Sequence, residues 1–250
     1  MADEEKLKSA ELEKDEKELF LEEFNGINRS KLDQKVLLSI FVGIIAIFCL
    51  MIIINGFIFR NTSDQKTAYY ISILTSNTLF VILILIIKVG KHFSWAELGW
   101  KSVEFIPSLK DILKIWGLTW LIQIIYMLII TFYGIIPTEN ELVELLQKPT
   151  FFALVVNILL IAIAAPFIEE TLFRGLLFGT LKTYFGCWSA IIISAAIFSA
   201  LHFELIGFVP RFALGIGLGY LYVKHDSIYP SIGLHALNNL FAIILISVFS

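Results

Sequence analysis

The chain has 250 residues, of which 58% are hydrophobic and only 16% are charged, against about 25% in typical soluble domains. Its formal net charge of −3 hides an asymmetry, because residues 1–35 hold seven Lys or Arg and eleven Asp or Glu while later charges are sparse. This composition excludes an ordinary soluble domain and a basic surface for nucleic acid, and it indicates a multi-pass membrane protein in a lipid bilayer.

The charged segment 1–35 is followed by apolar runs long enough to cross a hydrocarbon core of about 30 Å. Residues 171–185 either continue the fourth of these runs or cross separately. We therefore predict an all-α membrane protein with about seven transmembrane helices, or eight with that separate crossing, bundled around an intramembrane polar cavity. The predicted spans are Val36–Phe59, Thr67–Ile87, Ile115–Ile136, Thr150 to the Glu169–Glu170 pair, Trp188–Leu205, Phe208–Val223 and Ile228–Phe249.

The connection Lys88–Lys114 carries five lysines and the piece Trp95–Trp100, which we interpret as an interfacial segment. Lysine and arginine counts alternate along the first connections, from seven in residues 1–35 to two, five and one in the next three. The positive-inside rule then places the N-terminus and the Lys88–Lys114 connection in the cytoplasm.

Two carboxylates and a guanidinium interrupt the fourth apolar run, and charges at such depth cost several kcal/mol each unless they are paired or face a wet cavity. Glu170 and Arg174 are four residues apart, so they can pair on one helix face. Glu169 points about 100° away and needs a partner from another helix. Pro166 predicts a kink beside the carboxylates.

Further polar groups lie in later spans: His202, and His235 with Asn239 one helical turn on. Each alone has an ordinary interpretation as an interhelical hydrogen bond. We expect Glu204 and Arg211 to pair at the interface, and His225 to lie on the solvated surface. Together, a carboxylate, two imidazoles and an amide suit the hydrolysis of an acyl bond by activated water. The set Glu169, His202 and His235 could instead hold a divalent metal such as zinc.

Three motifs in order, Glu169-Glu170-x-x-x-Arg174, Phe198-x-x-x-His202 and His235-x-x-x-Asn239, resemble the pattern of the CPBP family of CAAX proteases and bacteriocin-processing enzymes, also called Abi. The resemblance implies an intramembrane endopeptidase of glutamate or metallo type. It implies that Glu169 and His202 activate water, and that His235 and Asn239 stabilise the oxyanion. Glu170 and Arg174 are expected to support the site. In these terms residues 36–149 are N-terminal transmembrane helices with a cytoplasmic loop, and residues 150–250 are the catalytic core.

The expected substrate is a membrane-associated peptide or protein at the cell membrane, cleaved in bacterial peptide maturation or bacteriocin self-immunity. Glu170, locked to Arg174, should be a poor proton acceptor, so Glu169 is the expected general base. The alternative is a non-enzymatic immunity or interaction protein, or a small transporter that uses the buried Glu and His groups as a proton relay.

Overall fold

A computed structural model describes residues 33–135 and 141–249. Within these residues the chain forms helices joined by turns and by one longer connection, residues 91–104, and contains no strand. Most of the predicted tail, residues 1–32, and part of the acidic connection, residues 136–140, lie outside the described residues. The helices are α1 (Gln34–Asn61), α2 (Gln65–Gly90), α3 (Phe105–Phe132), α4 (Glu141–Leu146), α5 (Phe151–Phe185), α6 (Cys187–Ala200), α7 (Leu205–His225) and α8 (Tyr229–Phe249).

Six of these helices, α1, α2, α3, α5, α7 and α8, are long and apolar enough to cross a membrane, and α6 is a shorter apolar helix of 14 residues. Large apolar side chains such as Ile52 and Phe132 are widely exposed on the outer faces, where lipid would cover them. The predicted all-α membrane fold is confirmed. Residues 171–185 continue α5 as one helix of 35 residues and do not cross separately.

Aspartate side chains cap the N-termini of α1 and α2. The Asp33 carboxylate accepts from the Val36 amide at 2.9 Å, and Asp64 accepts from the Thr67 amide at 2.9 Å. These bonds satisfy amides that a helix N-terminus leaves unpaired. The hydroxyl and amide of Thr67 that donate to Asp64 also hold the pKa of this carboxyl below its ordinary value.

Helix α3 begins at Phe105, ten residues before the predicted start at Ile115. The charged residues before Ile115 belong to this helix, and one of them, Asp111, is stabilised there by contacts with two residues of α7. Its carboxylate lies 2.9 Å from Lys224 Nζ and 3.0 Å from His225 Nε2. The prediction of a solvated His225 was therefore wrong: its side chain is only 12% exposed and contacts Asp111 and Ser108, both on α3.

Helix α8 packs into the bundle on two sides, through two buried apolar clusters. One cluster joins α8 to α3 and α7 and is formed by Leu214, Leu218, Leu221 and Leu234 with Ile112, Ile115, Trp116 and Tyr220. The other joins α8 to α4 and α5 and is formed by Leu146, Ala162 and Ile243 with Leu154, Ile158, Ile161, Leu240 and Ile246. These contacts fix the helices that carry the polar motifs.

Helices α6 and α7 approach closely because α7 presents glycines. A Cβ added to Gly215 would lie 2.9 Å from the Ala195 Cβ, and one added to Gly219 would lie 3.1 Å from Ile191. Small residues four apart allow such approaches between membrane helices. The close approach leaves the Gly215 carbonyl within reach of a buried charge on α5, described below.

The predicted interfacial piece Trp95–Trp100 folds back onto the bundle. Its 3-10 turn, Ala96–Leu98, buries Leu98 completely. Gly99 follows with φ of +85°, a conformation that favours glycine, and its carbonyl accepts from the Ile228 amide at 2.9 Å. This connection therefore lies against α5 and the start of α8.

We expect Gly175→Ala to lower the free energy of unfolding by about 1–3 kcal/mol through overpacking. The new Cβ would lie 2.8 Å from the Leu98 carbonyl oxygen, so the connection would have to move. Gly56→Ala is the matched control, since nothing lies within 4 Å of its added Cβ. Thermal unfolding of both variants in detergent measures the difference, and equal midpoints for the two variants would contradict it.

Candidate functional site

The two glutamates lie on a regular α-helical stretch of α5, Ala165–Glu170, between two wider π-type stretches. The first is Ile158–Ala164, just before Pro166, and the second is Thr171–Phe178. Proline lacks the amide that a regular helix needs, so irregularity beside it is expected. Wide π-type turns often occur at functional sites and change which side chains share a face.

Glu170 and Arg174 form a fully buried ion pair, with both side chains 0% exposed. Arg174 Nη1 donates to Glu170 Oε1 at 3.1 Å, and its Nε lies 3.1 Å from Oε2. The remaining arm of the guanidinium donates from Nη2 to the Gly215 carbonyl at 3.1 Å. The pairing predicted from the spacing is present, and it extends to α7.

His235 of α8 lies between the two glutamates. Its Nδ1 is 2.9 Å from Glu170 Oε1, and its Nε2 is 3.8 Å from Glu169 Oε2. Arg174, Glu170 and His235 thus form one chain of polar contacts across α5 and α8. The imidazole of His235 is thus a group from another helix that comes near Glu169, but at 3.8 Å it does not form a hydrogen bond with it.

The proton positions on His235 follow from its neighbours. A carboxylate held by Arg174 can only accept, so His235 Nδ1 carries the hydrogen that bonds to Glu170. Nε2 of a neutral ring is then an acceptor that faces a second acceptor, the buried Oε2 of Glu169. A second proton on the ring, or a water molecule that donates to both atoms, would let Nε2 and Oε2 lie near each other. Either one could take part in hydrolysis.

His202 lies in the turn after α6, and its orientation is set by its own chain. Its Nδ1 is 2.8 Å from the Phe198 carbonyl, which accepts only, so Nδ1–H donates and Nε2 is left as the ring's acceptor. The Phe198 ring separates the imidazoles, with its centroid 5.0 Å from that of His202 and 5.6 Å from that of His235. The Arg174 guanidinium carbon lies 5.1 Å from the same ring centroid, a cation–π distance.

Asn239 lies one turn beyond His235 on α8, on the predicted face. Its Nδ2 donates to the Ile161 carbonyl at 3.0 Å, inside the first π-type stretch of α5. This bond ties α8 to α5, and an amide nitrogen has a second hydrogen available for another acceptor.

A cavity of about 100 Å³ opens beside these groups. Glu169 and His202 are its polar wall, and Glu169 Oε2 is buried without a hydrogen-bond partner among the described residues. The rest of the wall is apolar, formed by Phe48, Phe80, Ile168, Leu172, Phe173, Phe198 and Leu201. Glu169 Oε2 differs from the other buried polar atoms without a partner in bordering this cavity, where a water or a substrate group can bond to it.

The donor set for the predicted metal, Glu169, His202 and His235, does not fit an ion in this arrangement. Among residues 33–135 and 141–249 no group of three His, Cys, Asp or Glu side chains is placed to hold one. We therefore derive no chemical step through a metal.

Sequence reasoning missed two residues of the site, Phe48 of α1 and Phe80 of α2, which line the cavity. Aromatic residues in apolar spans resemble lipid-facing ones, so nothing in the pattern distinguished them. The expected ion pair between Glu204 and Arg211 is present beside the His202 turn.

Residues 151–241 match a family described as “Type II CAAX prenyl endopeptidase Rce1-like”. The Bacillus subtilis (strain 168) protein named “Putative membrane peptidase YdiL” is 31% identical over 88 residues, which are 35% of this chain and 36% of that protein. The match thus spans about a third of that relative, and no solved structure matches. These matches confirm the resemblance of this region to the CPBP, or CAAX protease, family.

Proposed function

We propose that this multi-pass membrane protein, whose residues 151–241 match the CAAX protease family, is an intramembrane endopeptidase. Its substrate is a membrane-associated peptide or protein, cleaved at the cell membrane in peptide maturation or bacteriocin self-immunity. The N-terminus faces the cytoplasm, as the lysine and arginine distribution predicts. Residues 150–250 are the catalytic core.

Water is the nucleophile in this proposal. Glu169, with His202 beside it in the cavity wall, takes one proton from the water as its oxygen attacks the carbonyl carbon of the peptide bond. The carbon–nitrogen bond then breaks, and the proton passes from Glu169 or His202 to the departing amine. The products are a carboxylic acid and an amine, so atoms and charges balance.

The oxyanion of the tetrahedral intermediate is stabilised by His235 and Asn239. Because Glu170 fixes a hydrogen on Nδ1, His235 can donate from Nε2 only when a second proton makes it an imidazolium. Glu170 and Arg174 are positioning residues, since they hold the ring and touch no reacting atom.

The observation that carries this proposal is the buried Oε2 of Glu169. It makes no hydrogen bond among the described residues, it lies 3.8 Å from His235 Nε2, and it shares a cavity with His202. A general base needs a proton donor within reach, and this atom has room for a water and no competing partner.

Purified protein in lipid vesicles should cleave a membrane peptide, with products identified by mass spectrometry. We expect the rate to be unchanged by a strong chelator, because the residues that act on water are not arranged as a ligand set. Loss of cleavage in chelator and its recovery with zinc would contradict the metal-free mechanism. No cleavage of any membrane peptide would instead favour an immunity protein or a transporter.

A further inference from the structure

Two walls of the cavity come from helices outside the family match. Residues 151–241 supply Glu169, His202 and most of the apolar lining, whereas Phe48 belongs to α1 and Phe80 to α2. Both rings are partly buried, and both face the catalytic carboxylate and imidazole across the same small space. If these two rings affect which substrates enter the cavity, substrate selectivity depends on α1 and α2 as well as on residues 151–241.

Helices α1 and α2 form an antiparallel hairpin that holds the two rings at the same level. On one side of the rings, Gly43 has no Cβ and so admits the Leu83 side chain against the α1 backbone. On the other side, Ser72 Oγ donates to Asn55 Oδ1 at 2.9 Å. In the hairpin, Gly43 therefore lies level with Leu83, and Asn55 lies level with Ser72. Phe48 and Phe80 lie between these two contacts and are level with each other. The hairpin register therefore places both rings in the same wall of the cavity.

The size of the cavity limits what can enter it. Its volume of about 100 Å³ is smaller than the engineered apolar cavity of about 150 Å³ that binds benzene. Valine and leucine side chains are smaller than the benzene that the larger engineered cavity binds, so we expect them to be accepted more readily here than a phenyl ring. A charged side chain would lose its hydration against an apolar lining.

We propose that Phe48 and Phe80 are specificity-determining residues that set the largest apolar side chain accepted beside the scissile bond. This inference rests on the proposed endopeptidase function, because the side chain enters the cavity that Glu169 and His202 border. Removing either ring enlarges the space next to the bond under attack. The enzyme should then accept aromatic residues that the wild-type protein rejects.

The bond that the wild-type protein cuts in a membrane peptide is first located by mass spectrometry. Each residue flanking that bond is then replaced in turn by valine, leucine, phenylalanine or aspartate. At one flanking position the wild-type protein should prefer valine or leucine to phenylalanine in kcat/KM and should reject aspartate. Phe48→Ala and Phe80→Ala should each lower the preference for valine over phenylalanine by about tenfold or more.

Phe57→Ala is the matched control, because Phe57 lies on the same helix as Phe48 and is 69% exposed. It should leave the preference unchanged. If an alanine variant folds poorly, Phe48→Leu keeps an apolar side chain of smaller volume and should shift the preference in the same direction. An unchanged preference in folded Phe48→Ala and Phe80→Ala would overturn the inference.

A binding measurement separates this inference from the proposed cleavage. The same peptides are titrated against Glu169→Gln, with and without Phe48→Ala, in vesicles. We expect Phe48→Ala to raise the affinity for the phenylalanine peptide relative to the valine peptide. If the affinity ratio changes while the wild-type protein cleaves no peptide, the proposed endopeptidase function is wrong but the selectivity role of Phe48 stands. If the affinity ratio does not change, the selectivity role is wrong.

Discussion

Glu169→Gln is expected to lower the cleavage rate per folded molecule by about 10²–10⁴-fold, the contribution of a general base. Glutamine has the shape of glutamate but cannot take the proton of water. Because the Glu169 side chain is 27% exposed and its Oε2 has no hydrogen bond to lose among the described residues, the variant should still fold and bind peptide. The measurements are cleavage rate, peptide affinity and thermal stability of the same preparation.

Glu170→Gln is the companion variant, and its main effect should fall on stability. The substitution removes the charge that pairs with buried Arg174 and accepts from His235, so one buried cation is left uncompensated. We expect reduced yield and a lower unfolding midpoint, with some activity in the molecules that fold. A folded but inert Glu170→Gln beside a fully active Glu169→Gln would reverse the two roles, and normal cleavage by both would remove the site from catalysis.

Arg174→Ala should destabilise the protein by about 3–5 kcal/mol, because it leaves the fully buried Glu170 without its cation. Arg174→Lys should cost less, since lysine keeps the charge. It should still be weaker than wild type, because an ammonium cannot contact Glu170 through two nitrogens, donate to the Gly215 carbonyl and lie over Phe198 at the same time.

Arg60→Ala provides the matched control for the arginine series. Arg60 is exposed in the last turn of α1, so its loss should change stability by no more than about 0.5 kcal/mol. The readouts are membrane yield and unfolding in detergent for all four proteins. Equal yields and midpoints for wild type, Arg174→Ala and Arg174→Lys would contradict a stabilising role for this buried ion pair.

The membrane fold could be predicted because apolar runs of helix length leave few other structures in lipid. Boundaries were less predictable where charges lie on a helix. Lys110, Asp111 and Lys114 resemble a loop in sequence, yet they belong to α3, since Asp111 finds its partners on α7. Such pairing depends on helix packing, which single-sequence periodicity does not contain.

In the site, spacing alone predicted the Glu170–Arg174 pair, because residues four apart share a helix face. It did not predict that His235 bonds to Glu170 and also approaches Glu169. That contact depends on how α5 rotates through its π-type stretches and on where α8 lies beside it. The aromatic wall at Phe48 was likewise hidden, because lipid-facing and cavity-facing phenylalanines have the same sequence environment.

The continuous contact from Arg174 through Glu170 to His235 has an evolutionary consequence. These three residues come from two sequence motifs and belong to one buried network, so the stability cost of replacing one of them depends on whether the other two are present. In a descendant that no longer cleaves peptides, we expect these residues to be lost together and not singly. After loss of Arg174, the unpaired buried Glu170 would destabilise the fold. Selection for folding alone would then favour apolar residues at positions 170 and 174.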